Sequence, residues 1–106
     1  MKLDKDGMPV HGYLYILKCG EFDIYKVGFT GSLKLRVRDL QTSSPFKLKK
    51  IACMAGDSED EKDLHDLLLL AGIQRMCGEW FKISDEDIKK LTDSLNIKDW
   101  DEEERK

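Results

Sequence analysis

Two runs of aromatic and branched residues, separated by a five-residue connection, dominate the front of this chain. His11 to Lys18 and Ile24 to Thr30 both suit a pleated surface, and Cys19, Gly20, Glu21, Phe22 and Asp23 supply turn chemistry between them. So short a connection favours antiparallel pairing of the two runs. Alternation then puts Tyr13 and Tyr15 on one face of the first strand, with Leu14 and Ile16 on the other. In the second strand Ile24, Lys26 and Gly28 share a face.

The elements that follow are written in caps and breakers. Gly31 and Ser32 end the hairpin, and Ser32 can cap a helix predicted from Leu33 to about Gln41. Leu33, Val37 and Leu40 form its apolar stripe, Leu35 lies off it, Arg36 borders it, and Arg38 falls toward solvent. Ser43, Ser44 and Pro45 break the helix. Lys47 to Met54 begins by alternating and ends apolar, which predicts a third strand entered from a basic end and closed by Gly56. Ser58 and Glu61 have the spacing of a capping box, with a helix body from Lys62 to Ala71 that turns Leu64, Leu67, Leu68 and Ala71 to one side before Gly72 stops it. Met76 to Ile83 reads as a turn and a short aromatic segment, strand-like or irregular. Ser84 with Asp87 starts a last helix, Asp85 to about Leu95, with Ile88, Leu91 and Leu95 inward.

This order predicts an α+β domain, a three-stranded antiparallel sheet (hairpin, helix, strand) packed with helices. A chain of 106 residues supports one such domain. The expected divisions are a loosely held arm at 1–10, the folded domain at 11–95, and an acidic tail at 96–106 that frays unless Trp100 docks.

A formal charge of -3 argues weakly against a nucleic-acid partner, but the total hides an asymmetry. Residues 1–54 carry ten Lys/Arg against five Asp/Glu, whereas residues 55–106 carry eight against sixteen. Between Lys26 and Lys50 only Asp39 opposes seven basic residues. The folded chain can therefore offer a basic face to a polyanion, or spend those charges on its own acidic half. No apolar run approaches the roughly 20 residues of a membrane span, and no signal-peptide core precedes the domain. Cys19, Cys53 and Cys77 are odd in number and widely spread, so a disulfide framework is not expected and an intracellular location is. No Cys or His spacing suggests zinc, and no glycine pattern suggests a nucleotide loop.

What stands out is a set of polar groups at core positions. Lys26 issues from the middle of a strand, and Glu61 lies three residues before Leu64 and seven before Leu68, on the inward side of its helix. A carboxylate there needs a partner. The plain alternatives are a capping role for Glu61 and snorkelling for Lys26 and Arg36.

Tyr13 to Leu17, Tyr25-Lys26-Val27-Gly28, Arg36 to Thr42, Glu61 to His65 and Gly78-Glu79-Trp80-Phe81 occur in this order over residues 11–95. Together they resemble a GIY-YIG endonuclease domain, in particular the compact branch found in viruses and phages. The resemblance implies a metal-dependent endonuclease hydrolysing DNA phosphodiester bonds. Tyr15 falls on the tyrosine of the first motif, and Lys26 stands where the second motif usually has a tyrosine, with Gly28 as its glycine. Arg36 matches the helix arginine taken as catalytic, and Glu61 the glutamate that binds Mg²⁺, or alternatively Mn²⁺. His65, one turn further on, would orient Glu61 or a water on the metal. Tyr15 and Lys26 both remain candidates for the group that prepares the attacking water.

The first motif's glycine is replaced by Tyr13, although Gly12 precedes it. Under this reading Lys34, Arg38, Lys47, Lys49 and Lys50 track the phosphate backbone, and contacts of that kind position without specifying. Sequence specificity is then low, or comes from a protein partner or from DNA structure, and a viral or phage protein would act in the host cytoplasm. The alternative is a catalytically inactive module of the same fold that binds nucleic acid or protein.

Overall fold

The hairpin forms as its composition demands. Strand β1 (Gly12–Cys19) pairs antiparallel with β2 (Ile24–Thr30), which sets Tyr15 opposite Gly28 and Leu17 opposite Lys26. The computed structural model describes residues 12–94 and 98–99. The arm at 1–10, His11, Leu95 and Trp100 lie outside them.

Helix α1 (Leu33–Ser43) starts from Ser32, whose side chain accepts from Leu35 N–H, and returns the chain to β3 (Leu48–Gly56) on the far side of β1. Helix α2 (Ser58–Leu70), strands β4 (Gln74–Cys77) and β5 (Trp80–Lys82), helix α3 (Asp85–Ser94) and the two-residue strand β6 (Lys98–Asp99) follow. The strand order is β4-β5-β2-β1-β3-β6, antiparallel throughout.

The sheet thus has five strands and a short sixth, not the three predicted. The reason lies in β4. All four of its residues are exposed, so it carries no alternating apolar signal. It is made by the turn chemistry on either side: Gly72 (φ 81°) releases the chain from α2, and Gly78 (φ 58°) opens a two-residue hairpin loop, Gly78-Glu79, before Trp80 pairs back to Cys77.

Side chains divide cleanly between the two faces of the sheet. Tyr15, Leu17, Leu48 and Cys53 pack beneath Leu33, Val37 and Leu40 of α1. Ile16, Tyr25, Val27, Ala52 and Phe81 pack beneath Leu64 and Leu68 of α2 and Ile88 of α3. Helix α2 departs from expectation at both ends. Its N-cap is Asp57, which accepts from Glu59 and Asp60 N–H while the Asp60 carboxylate accepts from Asp57 N–H. Aspartate caps as well as serine does, so the helix begins one residue earlier than Ser58 as cap would allow. At the other end Leu67 is 46% exposed and Ala71 is exposed, because the inward line runs through Leu64, His65 and Leu68.

Among the described residues no helix is long and apolar enough to cross a membrane. The three cysteines are free thiols.

The first residue of α3 ties that helix to the hairpin. The buried Lys18 ammonium lies 2.8 Å from Asp85 Oδ1, and the Tyr25 hydroxyl donates to the same carboxylate. The bond from Lys18, and after it the bond from Tyr25, hold the Asp85 carboxyl below the usual carboxylate range. A carboxylate depressed in this way stabilises the fold above its unfolded pKa, and the stabilisation is lost as pH falls through the lower folded value. Asp85→Asn should therefore lower the melting temperature at pH 7, and the deficit should shrink as pH falls through and below the carboxylate range, as thermal melts across a pH series would record.

Candidate active site

The site is built over Gly28. A β-carbon placed there would lie 2.5 Å from the Tyr15 hydroxyl and 2.8 Å from Glu79 Oε2. Only the missing side chain lets these two oxygens meet over the middle of β2. Tyr15 is brought there by its register opposite Gly28, and Glu79 by the tight β4–β5 loop.

Lys26 stands two residues away on the same face and is 9% exposed. Its cross-strand partner is Trp80, whose ring centroid lies 5.2 Å from the ammonium, and Glu79 Oε2 is 3.5 Å from it. An indole face and a carboxylate therefore hold this cation on two sides. Arg36 enters from α1, half-buried, beside a groove of about 460 Å³ that Thr30, Ser32, Leu35, Asp39 and Leu40 also line. Its charge acts on both Tyr15 and Glu61.

Glu61 reaches the site from the opposite face because the sheet has an edge there. Beyond Lys26, β5 stops pairing with β2 except for one bond from Val27 N–H to Glu79 O, at 3.1 Å. The open backbone of β2 is taken up by α2: Phe29 N–H donates to the Glu61 carboxylate, and His65 Nε2 lies 2.6 Å from Val27 O. Since Asp60 closes the capping box, Glu61 is not needed as a cap and is available to the sheet edge.

The Tyr15 hydroxyl is pushed well above the usual tyrosine range, by burial first and then by the charge of Glu79. Burial, and after it the Glu79 charge, likewise raise the Glu61 carboxyl, while His65, the Phe29 bond and Arg36 pull the other way. The two half-buried carboxylates thus repel each other.

The structure brings Tyr15, Lys26, Arg36 and Glu61 together. His65 turns elsewhere: with Val27 O accepting from Nε2–H, its Nδ1 accepts from Arg75 Nη2 at 3.4 Å, and the ring lies 5.2 Å from that of Phe81. It brackets α2, β2 and β4. Lys34, Arg38, Lys47, Lys49 and Lys50 are all exposed and lie outside this cluster. Arg38 pairs with Asp39 at 3.6 Å, and Lys49 pairs with Glu21 of the hairpin turn.

Glu79, Trp80 and Arg75 are the site's additions. The first two stood in the sequence only as members of a Gly-Glu-Trp-Phe run, with nothing local to pair them with Lys26. Among the described residues no three His, Cys, Asp or Glu side chains gather as a metal cluster. The donor set is Glu61 with Glu79 nearby, hard oxygens that suit a Mg²⁺-like ion keeping most of its waters. Their mutual repulsion is what such a cation would relieve.

A raised folded pKa means that ionising Glu61 costs stability above that pKa, a cost absent below the unfolded value. Glu61→Gln, whose amide oxygen can still accept from Phe29 N–H, is expected to melt a few degrees higher than wild type at pH 7. The two melting curves should converge as pH falls through the carboxylate range.

No curated protein and no solved structure matches the chain. Among known families, the T5orf172 domain matches residues 12–96, a span that contains every residue of the cluster over Gly28. By that match over most of its length, the chain belongs to the phage-associated T5orf172 domain family.

Proposed function

We propose that this domain is a metal-dependent endonuclease that hydrolyses DNA phosphodiester bonds with low intrinsic sequence specificity. The observation that carries the reading is that Tyr15 and Glu79 lie together over Gly28, with Lys26 paired to Glu79 and the charges of Arg36 and Glu61 both acting on Tyr15. A nuclease-like role also accords with the family match.

Phosphodiester hydrolysis asks for a held phosphate, a positioned water, and relief for the charge that builds on phosphorus and on the departing oxygen. Arg36, at the mouth of its groove, presents a planar fork of donors whose hydrogen bonds strengthen as phosphate charge accumulates. Lys26, fixed by Trp80 and Glu79, offers a second cation from the strand. Tyr15, buried beside Gly28, orients the attacking water, and either Tyr15 or Lys26 takes the proton that the water gives up. Glu61, with water and substrate oxygens completing the shell, would hold Mg²⁺ or Mn²⁺, and the ion when bound would supply Lewis-acid stabilisation of the phosphate and leaving oxygen. His65 supports Glu61 indirectly, by pinning α2 to the edge of β2. Lys34, Arg38, Lys47, Lys49 and Lys50 would serve the flanking backbone through phosphate contacts.

Arg36→Ala and Glu61→Ala should each reduce Mg²⁺-dependent plasmid nicking by on the order of a hundredfold or more, with the circular dichroism of the fold retained. Chelator should silence the wild type. Undiminished nicking by both variants would overturn the proposal. Replacing Lys47 and Lys50 together by Ala should instead leave the chemistry in place and flatten the salt dependence of DNA binding by about two phosphate contacts.

A further inference from the structure

The pairing of Lys26 with Glu79 is unusual for a group expected to meet a phosphate. Lys26 is held deep in the sheet, its side chain 11% exposed, while the Glu79 side chain is 33% exposed. Glu79 sits on a two-residue loop, and β4, the strand leading into that loop, is exposed along its whole length. Of the two partners, Glu79 is the one with room to move.

Charge makes the same point. Lys26 and Arg36 together balance Glu61 and Glu79, so an arriving phosphodiester meets a formally neutral constellation and an ammonium with an anion already 3.5 Å away. The Glu79 carboxylate and the Tyr15 hydroxyl already take up the room over Gly28, so that even a β-carbon there would meet both. A tetrahedral anion entering over Gly28 competes for that place.

We infer that Glu79 is an internal occupant of the phosphate position: its carboxylate holds Lys26 while no nucleic acid is bound, and gives way when a backbone phosphate engages that ammonium. The inference deepens the proposed function and rests on its assignment of Lys26 to the substrate. Engagement of Lys26 becomes an exchange of one anion for another. Affinity at this position is then held down, and fewer counterions are released than the site's cations would suggest.

The test is binding of a short fluorescent duplex DNA to the full chain in EDTA, by anisotropy over a salt series. Four proteins are compared: wild type, Glu79→Gln, Lys26→Met and the double variant. Glu79→Gln should tighten binding about fivefold or more at low salt and steepen the slope of log K against log salt by about 0.9, the increment of one added phosphate contact. In the Lys26→Met background the same change should gain less than about twofold, the mark of coupling between the two residues.

An equal gain in both backgrounds would make Glu79 a general surface charge and overturn the inference. So would equal affinity of Glu79→Gln and wild type, including no binding by either. Should Lys26→Met fail to fold, as judged by its melting transition, Lys26→Gln takes its place in the cycle. Cleavage separates this idea from the one it rests on. If Arg36→Ala and Glu61→Ala lose nicking while Glu79→Gln shows no gain, only the exchange is wrong. If those two variants still nick DNA, the nuclease mechanism falls while the binding comparison stands by itself.

Discussion

The register of β1 on β2 governs nearly everything else in this domain. Tyr15 opposite Gly28 and Leu17 opposite Lys26 are consequences of one pairing, and a slip of β1 by one residue would carry Tyr15 and Leu17 to the face away from Gly28 and Lys26. In the observed register the face under α1 receives a buried tyrosine, a lysine and a gap. The face under α2 and α3 receives Ile16, Tyr25 and Val27, and with Phe81 these complete an apolar core. A strand pair that must bury both faces usually carries only apolar residues. Here the exceptions gather at one place, which is where a site is expected when local rules are broken without an evident gain in stability.

A second constraint is the unfinished edge of β2. Strand β5 covers Ile24 to Lys26 and then turns away through Glu79, leaving backbone groups of Val27 and Phe29 to be satisfied by other means. Helix α2 satisfies them with Glu61 and His65. One structural need thereby brings a carboxylate from the far layer of the domain to the rim of the near one. The histidine is consumed in the process, held between a carbonyl and Arg75, so that of the two polar residues on the inner line of α2 only the glutamate faces the site.

Electrostatics within the cluster follow from this geometry. Glu79 bears on Tyr15, Glu61 and Lys26 at once, raising the hydroxyl and the carboxyl while pairing with the ammonium. The two carboxylates and two cations give a site that is near neutral as a whole yet divided inside. Under the proposed function, such a site would bind a polyanion by rearranging charge as much as by offering it. In the same proposal the exposed lysines elsewhere on the front half of the chain would supply long-range attraction, which falls away with salt.

The amino-acid order by itself determined the hairpin, the limits of β2, the apolar stripe of α1 and the start of α3, because alternation, caps and breakers are local physical signals. It also marked Lys26 and Glu61 as polar groups in core positions. It could not reveal β4, an exposed strand with no apolar alternation that exists because Gly72 and Gly78 fold it back onto β5. It misplaced the cap of α2 by one residue, since Asp57 and Ser58 are both good caps and only the helix axis chooses between them. That choice released Glu61 from the capping box. The partnership of Glu79 and Trp80 with Lys26 belonged wholly to the tertiary structure, for more than fifty residues separate them in the chain and only the β5–β2 pairing brings them together. Local chemistry wrote the elements; the sheet edge and the strand register decided which of their side chains meet.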